Sequence, residues 1–347
     1  MADAATKHRV TIQYCMALPS WLLQSLEFPA VTNARASDDN FPNNQHRWRI
    51  GYTSLLHWPL GLRSFMDVVW STADQPGNEY GMNRTNVELQ VAVAALSAGP
   101  VGFGDGPGDS NATLIATVCA ADGTLLRPSV AATPIDAMLD GDRSPTQVDT
   151  AEIEVWDAAS VVGDLIFWSV LVVDAWPAVA VPLTELFVPS EVTPAAGWPG
   201  AVSEYAVVDV TRCADGSALL ACGSVAPAPR GGFTAGTATA GSIEQHSWTV
   251  LSVAPVCPSG AVVLGEVDKM VAVSPDRFAA INCTATGVWV QLRPSVAGEA
   301  VRIAFGLGGA VTRLTVMQPA GSGAALECTV HGDGGSCQPY PGSTVVP

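Results

Sequence analysis

The first 140 residues alternate between short apolar runs of β type and segments in which apolar residues recur at helical spacing. The pattern predicts strands at residues 10–15, 30–31, 66–70 and 97–103. It predicts helices at residues 21–26, 50–62, 87–96 and 111–119. Strands that alternate with helices in this way indicate an α/β region with parallel strands.

The pattern changes after about residue 140, where short β-branched segments are separated by Gly, Pro and Asp turns. Such segments occur at residues 151–156, 204–210, 247–251 and 287–292. We therefore expect residues 141–347 to form an antiparallel β-sandwich domain, with residues 226–241 as a mobile surface loop. The preceding α/β region, residues 1–140, is too short for a complete barrel, which takes roughly 250 residues.

Composition excludes two classes of partner. Hydrophobic residues make up 48% of the chain and charged residues 14%, which is typical of a folded globular protein. The 16 Lys and Arg residues are outnumbered by 32 Asp and Glu residues, so the formal charge is -16. Nucleic acids and anionic membranes attract positive charge, and neither is expected to bind this chain.

Neither a membrane span nor a secretion signal is expected. The longest apolar run, residues 165–173, lies between Asp164 and Asp174 and falls far short of the roughly 20 residues of a transmembrane helix. It is expected to form a buried pair of strands. The first ten residues carry acidic and basic side chains and no apolar core. This favours a cytoplasmic location, although the sequence leaves the compartment open.

The eight cysteines include no CxxC pair and no Cys/His cluster with zinc spacing. The pairs Cys213/Cys222 and Cys328/Cys337 bracket turn-forming sequences that would place each pair on a hairpin. A disulfide at each hairpin is one interpretation, but the sequence favours free thiols. A P-loop, a G-x-S-x-G elbow and a dinucleotide fingerprint are also lacking, so no metal, cofactor or nucleotide is expected.

The candidate chemistry lies in the segment Arg35-Ala36-Ser37-Asp38-Asp39. It combines a permanent cation with two adjacent carboxylates directly after a predicted strand, where barrel enzymes carry their catalytic groups. Taken alone, such a segment is more often a solvated loop with an aspartate that caps a helix. The functional interpretation therefore needs support from other segments.

Several segments, in order along the chain, resemble the C-terminal portion of glycoside hydrolase family 36. The likeness is to the branch of plant raffinose synthases, stachyose synthases and seed imbibition proteins, which are similar to alkaline α-galactosidases. Residues 35–42 resemble the R-A-S-D-D-F-Y-P segment, residues 66–71 the W-D-M-F-x-S segment, and residues 95–108 the I-S-G-G-P-V-Y-V-S-D-K-P-G segment. Residues 122–127, 153–157 and 248–256 resemble D-G-S-x-L-R, L-K-I-W-N and F-T-V-x-P-V.

The resemblance implies a fold and a reaction. Residues 1–140 would be the last strands and helices of a catalytic (β/α)8 TIM barrel, followed by the C-terminal β-sandwich. The family cleaves terminal α-galactosides with retention, through one nucleophilic and one proton-transferring aspartate about 5 to 5.5 Å apart. The substrate would be a galacto-oligosaccharide or a sucrose-type sugar.

The resemblance also assigns roles to individual residues. The proton-transferring group lies in the 35–39 segment, where Asp39 is preferred over Asp38 and Arg35 orients the pair. A second carboxylate beside Asp39 would help it to hold a proton near neutral pH. Other matching segments supply Asp67, Trp70 and Asp105, which would hydrogen-bond and stack against the galactosyl ring.

Departures from the family pattern leave two functional classes open. The family nucleophile lies in a K-V-D segment upstream of R-A-S-D-D, and no Lys-x-Asp precedes Arg35 here. The chain is thus expected to be an incomplete enzyme that lacks its nucleophile; the alternative is a noncatalytic carbohydrate-binding or degenerate structural protein. Ala98 replaces a glycine and Gly106 a lysine in the strand-eight segment, which leaves hydrolysis and galactosyl transfer as alternatives.

Overall fold

The protein is rich in β-sheet, and most of its strands are antiparallel. The computed structural model describes residues 1–41, 46–139, 153–188, 204–210, 226–229, 231–239, 241–242, 245–266, 268–332, 334–340 and 343–346. Cys213 and Cys222 lie outside these residues.

Parallel strands joined by helices occupy the N-terminal part. The strands are β1 (Ile12–Tyr14), β2 (Val31–Arg35), β3 (Arg63–Phe65), β4 (Val68–Val69) and β5 (Gly102–Phe103). The helices are α1 (Ala2–His8), α2 (Pro19–Gln24), α3 (Gly51–His57), α4 (Val87–Leu96), α5 (Ala112–Ala116) and α6 (Asp136–Leu139), with 3₁₀ turns at Ser25–Glu27 and Trp58–Leu60.

The pairing of these strands agrees with the α/β pattern expected from the sequence. β1, β2 and β3 form a parallel sheet in chain order, and β4 pairs with β5, also in parallel. A single parallel bridge joins Ser64 of β3 to Ala98, which lies in the segment before β5. The strand predicted at 66–70 is interrupted, because Asp67 adopts a left-handed backbone (φ 53) that a continuous strand cannot include.

A six-stranded antiparallel sheet follows, with the order β11-β10-β13-β8-β7-β6. Its strands are β6 (Thr133–Pro134), β7 (Glu154–Val162), β8 (Leu165–Val173), β10 (Glu204–Asp209), β11 (Ala226–Pro229) and β13 (Trp248–Pro255). A separate pair joins β9 (Val179–Val181) to β12 (Phe233–Ala235), and a 3₁₀ turn covers Leu183–Glu185. The apolar run at 165–173 is one buried strand, β8, and not the expected pair of strands, because its nine residues continue without a turn and pair with a strand on each side.

Two four-stranded antiparallel sheets complete the chain. One has the order β14-β17-β18-β21 and the other β15-β16-β19-β20. The strands are β14 (Val262–Gly265), β15 (Phe278–Cys283), β16 (Gly287–Leu292), β17 (Ala300–Leu307), β18 (Ala310–Met317), β19 (Ala325–His331), β20 (Gly334–Pro339) and β21 (Thr344–Val346). One apolar core contains side chains from both sheets, including Phe305 and Val290.

Two other expectations from the sequence were wrong. Residues 226–241 include strands β11 and β12, because their backbone groups pair with β10 and β9. The preference for free thiols fails at Cys328 and Cys337, which face each other across β19 and β20 and form a disulfide. A second disulfide joins Cys257 to Cys283, a pair that the spacing did not indicate.

Helix α4 connects the α/β region to the six-stranded sheet. Nine of its ten residues are buried, with Glu88 as the exception, as expected for a helix in which eight of ten residues are apolar. Its core cluster contains Met66 and Val69 from the parallel strands and Trp156 from β7. At the start of α3, a Cβ on Gly51 would lie 2.7 Å from the Trp156 ring, so only glycine permits this approach. Among the described residues, no helix is long and apolar enough to cross a membrane.

An apolar face remains uncovered around β1, which is an edge strand in the described sheet. Its large exposed side chains are Met16 (69%), Leu18 (55%), Trp21 (46%), Leu23 (61%) and Leu26 (63%). Contiguous apolar patches next to an open sheet edge promote association between chains.

We predict that the purified chain self-associates through this face. Light scattering coupled to size exclusion should report oligomers, and the double substitution Leu23→Lys with Leu26→Lys should shift the protein towards monomer. Val296→Lys, at an exposed apolar position in the β-rich region, is the matched control and should leave the oligomeric state unchanged. A monodisperse wild-type monomer would contradict the prediction.

The fully buried carboxyl of Asp157 on β7 makes stability depend on pH. Its Oδ2 accepts a hydrogen bond of 2.8 Å from the Phe187 amide, but burial dominates and raises the pKa of Asp157 from 3.8 to about 7. Between these values the unfolded chain loses the proton while the folded protein keeps it. The free energy of unfolding therefore falls as pH rises from about 4 to 7, by up to about 1.4 kcal/mol per pH unit.

Asp157→Asn should remove this pH dependence. We expect the variant to gain stability relative to wild type between pH 5 and pH 8, measured by denaturant unfolding at both values. Asp164→Asn, at an exposed turn next to β8, should give the same difference from wild type at both pH values. A difference for Asp157→Asn that does not change with pH would rule out the titration.

Candidate functional site

A polar cavity of about 630 Å³ lies beyond the carboxyl ends of β2, β4 and β5. Its walls come from four segments, within residues 39–41, 67–70, 75–80 and 104–109. Neighbouring parallel strands end at the same edge of a sheet, so the loops that follow them meet there although they are distant in sequence. This geometry explains why the segments singled out by the motif resemblance border one cavity.

The structure brings together five of the six predicted site residues. Asp39, Asp67, Trp70 and Asp105 line the cavity, and Arg35 contacts two of them. Asp38 is exposed and is not part of the cavity wall. Of the two adjacent carboxylates, Asp39 is therefore the one in position to meet a ligand.

Arg35 links two of the cavity carboxylates. Its Nη1 lies 2.7 Å from Asp39 Oδ1 and 3.5 Å from Asp67 Oδ2. The two oxygens can be no farther apart than the sum of these distances, because both approach the same nitrogen. The Arg35 side chain is 8% exposed, whereas that of Asp39 is 51% exposed, so water reaches the outer side of this ion pair.

Asp39 forms an ion pair with a cation of the site. Its Oδ1 faces the Arg35 guanidinium, and its side chain is half exposed at the cavity. The contact fixes the position of the carboxylate at the cavity border. The expectation that the carboxylate of Asp38 keeps a proton on Asp39 stays a prediction.

Asp105 stabilises the cavity wall through hydrogen bonds. Its Oδ1 accepts hydrogen bonds from the Ser71 amide (2.6 Å) and Gln75 Nε2 (2.7 Å), and its Oδ2 accepts one from Ser71 Oγ (2.6 Å). Gln75 Oε1 in turn accepts a hydrogen bond of 2.6 Å from the Gly106 amide. These contacts hold the loop after β4 against the loop after β5, so Asp105 shapes the cavity before any ligand arrives.

Aromatic side chains supply apolar surface next to the carboxylates. Trp70 is nearly buried in the wall, and the guanidinium of Arg84 lies 5.5 Å from its ring centre. Phe41 and Tyr80 form an edge-to-face pair at 5.6 Å and are both partly exposed. Aromatic faces beside hydrogen-bonding groups suit a ligand that has both apolar and polar surfaces.

Two buried arginines, Arg47 and Arg84, hold the segments of the site in place through hydrogen bonds. Neither of them was identified from the sequence. Arg47 Nη2 donates to the carbonyl oxygens of Met66 (2.7 Å) and Val68 (2.8 Å), and its Nη1 donates to Asn40 Oδ1 (2.7 Å) and Gln90 Oε1 (3.1 Å). Arg84 donates to the Phe41 carbonyl oxygen at 2.8 Å and also to Asn40 Oδ1.

Both arginines keep their charge at neutral pH. Burial lowers the pKa of Arg47 and of Arg84 to about 10, and the charge of Arg47 contributes to the effect on Arg84. No motif contains these residues, and the only signal in the sequence is the scarcity of basic residues, 16 in the whole chain. The loop at 75–80 was missed as well, although its Pro76-Gly77 turn marks it as a loop.

Among the residues that the structure describes, no group of three or more His, Cys, Asp and Glu side chains could hold a metal ion.

Comparison of the sequence with protein-family models and with curated proteins finds no match.

Replacing Arg47 should destabilise the site. Arg47→Gln leaves the carbonyl oxygens of Met66 and Val68 without their donor, and we expect a loss of about 3 kcal/mol in the free energy of unfolding. Arg302→Gln makes the same chemical change at an exposed ion pair with Asp268 and should cost less than about 1 kcal/mol. Equal losses in the two variants, measured by chemical denaturation, would contradict the supporting role of Arg47.

Proposed function

We propose that this protein binds terminal α-galactosides in the cavity and processes them as a retaining glycosidase or galactosyltransferase of the raffinose synthase type. The observation that carries the proposal is the meeting of Asp39, Asp67 and Trp70 at one polar cavity. These residues come from separate segments that resemble glycoside hydrolase family 36. The parallel strands bring these loops together, and the resemblance would account for the types of residue that meet there.

The chemistry of the cavity suits a sugar. A galactosyl group offers many hydroxyls that donate and accept hydrogen bonds, and it has an apolar ring face. The carboxylates of Asp39 and Asp67 would accept hydrogen bonds from hydroxyls, while Trp70 and Tyr80 offer aromatic surface. By the resemblance, Asp39 is the proton-transferring group and Arg35 orients it, whereas the family's nucleophilic carboxylate belongs to a segment upstream of Arg35 that has no counterpart in this sequence.

We also infer the finer architecture from the strand order. The parallel strands β1 to β5 and their helices would be the last units of a (β/α)8 barrel, because they follow one another in chain order with the cavity at their carboxyl ends. The two four-stranded sheets that share a core would form the C-terminal β-sandwich.

A second candidate function is carbohydrate binding without catalysis. The ion pair between Arg35 and Asp39 favours it, because a paired carboxylate is a poor proton donor. The lack of a Lys-x-Asp segment before Arg35 also favours it. Nucleic acid and membrane remain unexpected partners, since the formal charge is -16.

Binding and turnover separate the two candidates. We expect titration calorimetry to detect binding of methyl α-galactoside or raffinose. We also expect slow hydrolysis of 4-nitrophenyl α-galactoside. Asp39→Asn should lower hydrolysis by about 100-fold or more while Asp38→Asn, outside the cavity wall, changes it by less than about threefold. Thermal unfolding of both variants controls for loss of structure.

Each outcome has a defined meaning. Hydrolysis that depends on Asp39 contradicts the noncatalytic candidate. Binding without hydrolysis fits both a noncatalytic protein and an enzyme without its nucleophile. A chain extended upstream to restore the missing strands separates these two, because only the enzyme gains activity. An equal loss of hydrolysis in Asp38→Asn and Asp39→Asn would contradict the role given to Asp39. Failure to bind any α-galactoside would refute both candidates.

A further inference from the structure

Asn40 occupies an unusual position directly after the carboxylate pair. Its Oδ1 accepts hydrogen bonds from Arg47 Nη1 at 2.7 Å and from Arg84 Nη2. Both arginines are nearly buried, with exposed fractions of 3% and 2%. Asn40 itself lines the cavity, between Asp39 and Phe41.

The two arginines fix the orientation of the Asn40 amide. A guanidinium group has only hydrogen-bond donors, so the atom that faces both groups must be the amide oxygen. Arg47 is anchored by the carbonyl oxygens of Met66 and Val68, and Arg84 by that of Phe41. The amide therefore cannot flip without leaving two buried cations short of an acceptor.

The amide nitrogen is the other polar end of this side chain. Within the part of the chain that the structure describes, Asn40 Nδ2 makes no hydrogen bond to another residue. With Oδ1 held by the arginines, Nδ2 is the polar atom that Asn40 presents at the cavity wall. Preorganised donors of this kind give specificity, because they lose little freedom when a ligand binds.

We propose that Asn40 is a specificity-determining residue whose Nδ2 donates a hydrogen bond to a sugar oxygen bound in the cavity. The inference rests on the proposed function, since it takes the ligand to be a sugar. Asp39 and Asp67 would accept hydrogen bonds, whereas Asn40 would donate one. The cavity wall would therefore recognise a hydroxyl group both as a donor and as an acceptor. The resembling family segment has phenylalanine at this position, so the contact would be particular to this chain.

Asn40→Asp separates the structural role from the recognition role. Aspartate keeps an acceptor for both arginines, so we expect the unfolding temperature to be unchanged or higher. It replaces the Nδ2 donor by a second acceptor, so affinity for the sugar should fall by about tenfold or more. Asn40→Leu removes both roles and should lose stability as well as affinity. Because a galactoside is uncharged, the added charge does not repel it at a distance.

The experiment measures binding of methyl α-galactoside, methyl α-glucoside, raffinose and sucrose to wild type, Asn40→Asp and Asn40→Leu by calorimetry, with thermal unfolding of each protein. Monodeoxy galactosides then identify the contact. Removal of one particular hydroxyl should lower the affinity of wild type and leave the affinity of Asn40→Asp unchanged. A double-mutant cycle measures this coupling. Asp164→Asn should bind as wild type does.

Every result bears on the inference. Wild-type affinity in a folded Asn40→Asp overturns it and leaves the proposed function intact. A marked loss of stability in Asn40→Asp also overturns it, because Nδ2 would then serve the fold. Binding of glucoside or sucrose alone, lost in Asn40→Asp, supports the inference and refutes the α-galactoside assignment. Wild type that binds none of the four sugars refutes both.

Discussion

The site depends on one buried cation. The strand that could have run from β3 to β4 is interrupted at Met66 and Asp67, so backbone carbonyl groups there need other partners. Arg47 supplies them, since its Nη2 donates to the oxygens of Met66 and Val68. The same guanidinium reaches Asn40 after β2 and Gln90 on α4. A single side chain thereby holds the ends of separate strands in the geometry that forms the cavity.

Nearly buried cations lie next to partly exposed carboxylates at the site. Arg47 and Arg84 stay charged although burial lowers the pKa of each to about 10, and Arg35 contacts both Asp39 and Asp67. Arg35 thereby holds two carboxylates, with side chains 51% and 20% exposed, at the border of the cavity.

The packing of α4 explains how the cavity stays in place relative to the β-rich region. The helix is mostly apolar, and its core cluster includes Val69 of β4 and Trp156 of β7. A surface helix would leave the loops after β4 and β5 free to shift. Here the loops are also tied together by Asp105, which bonds to Ser71 and Gln75.

The sequence by itself predicted the alternation of helices and strands up to Phe103 and the β-rich remainder, and it singled out the segment around Asp39 as a candidate site. These features are local, because periodicity and side-chain type act over a few residues. Only the tertiary structure decided that Asp39 and not Asp38 lines the cavity, that Arg35 pairs with Asp39, and that Arg47 and Arg84 meet at Asn40. Arg84 and Asn40 are 44 positions apart, and a pattern that repeats every few residues carries no information on such a contact.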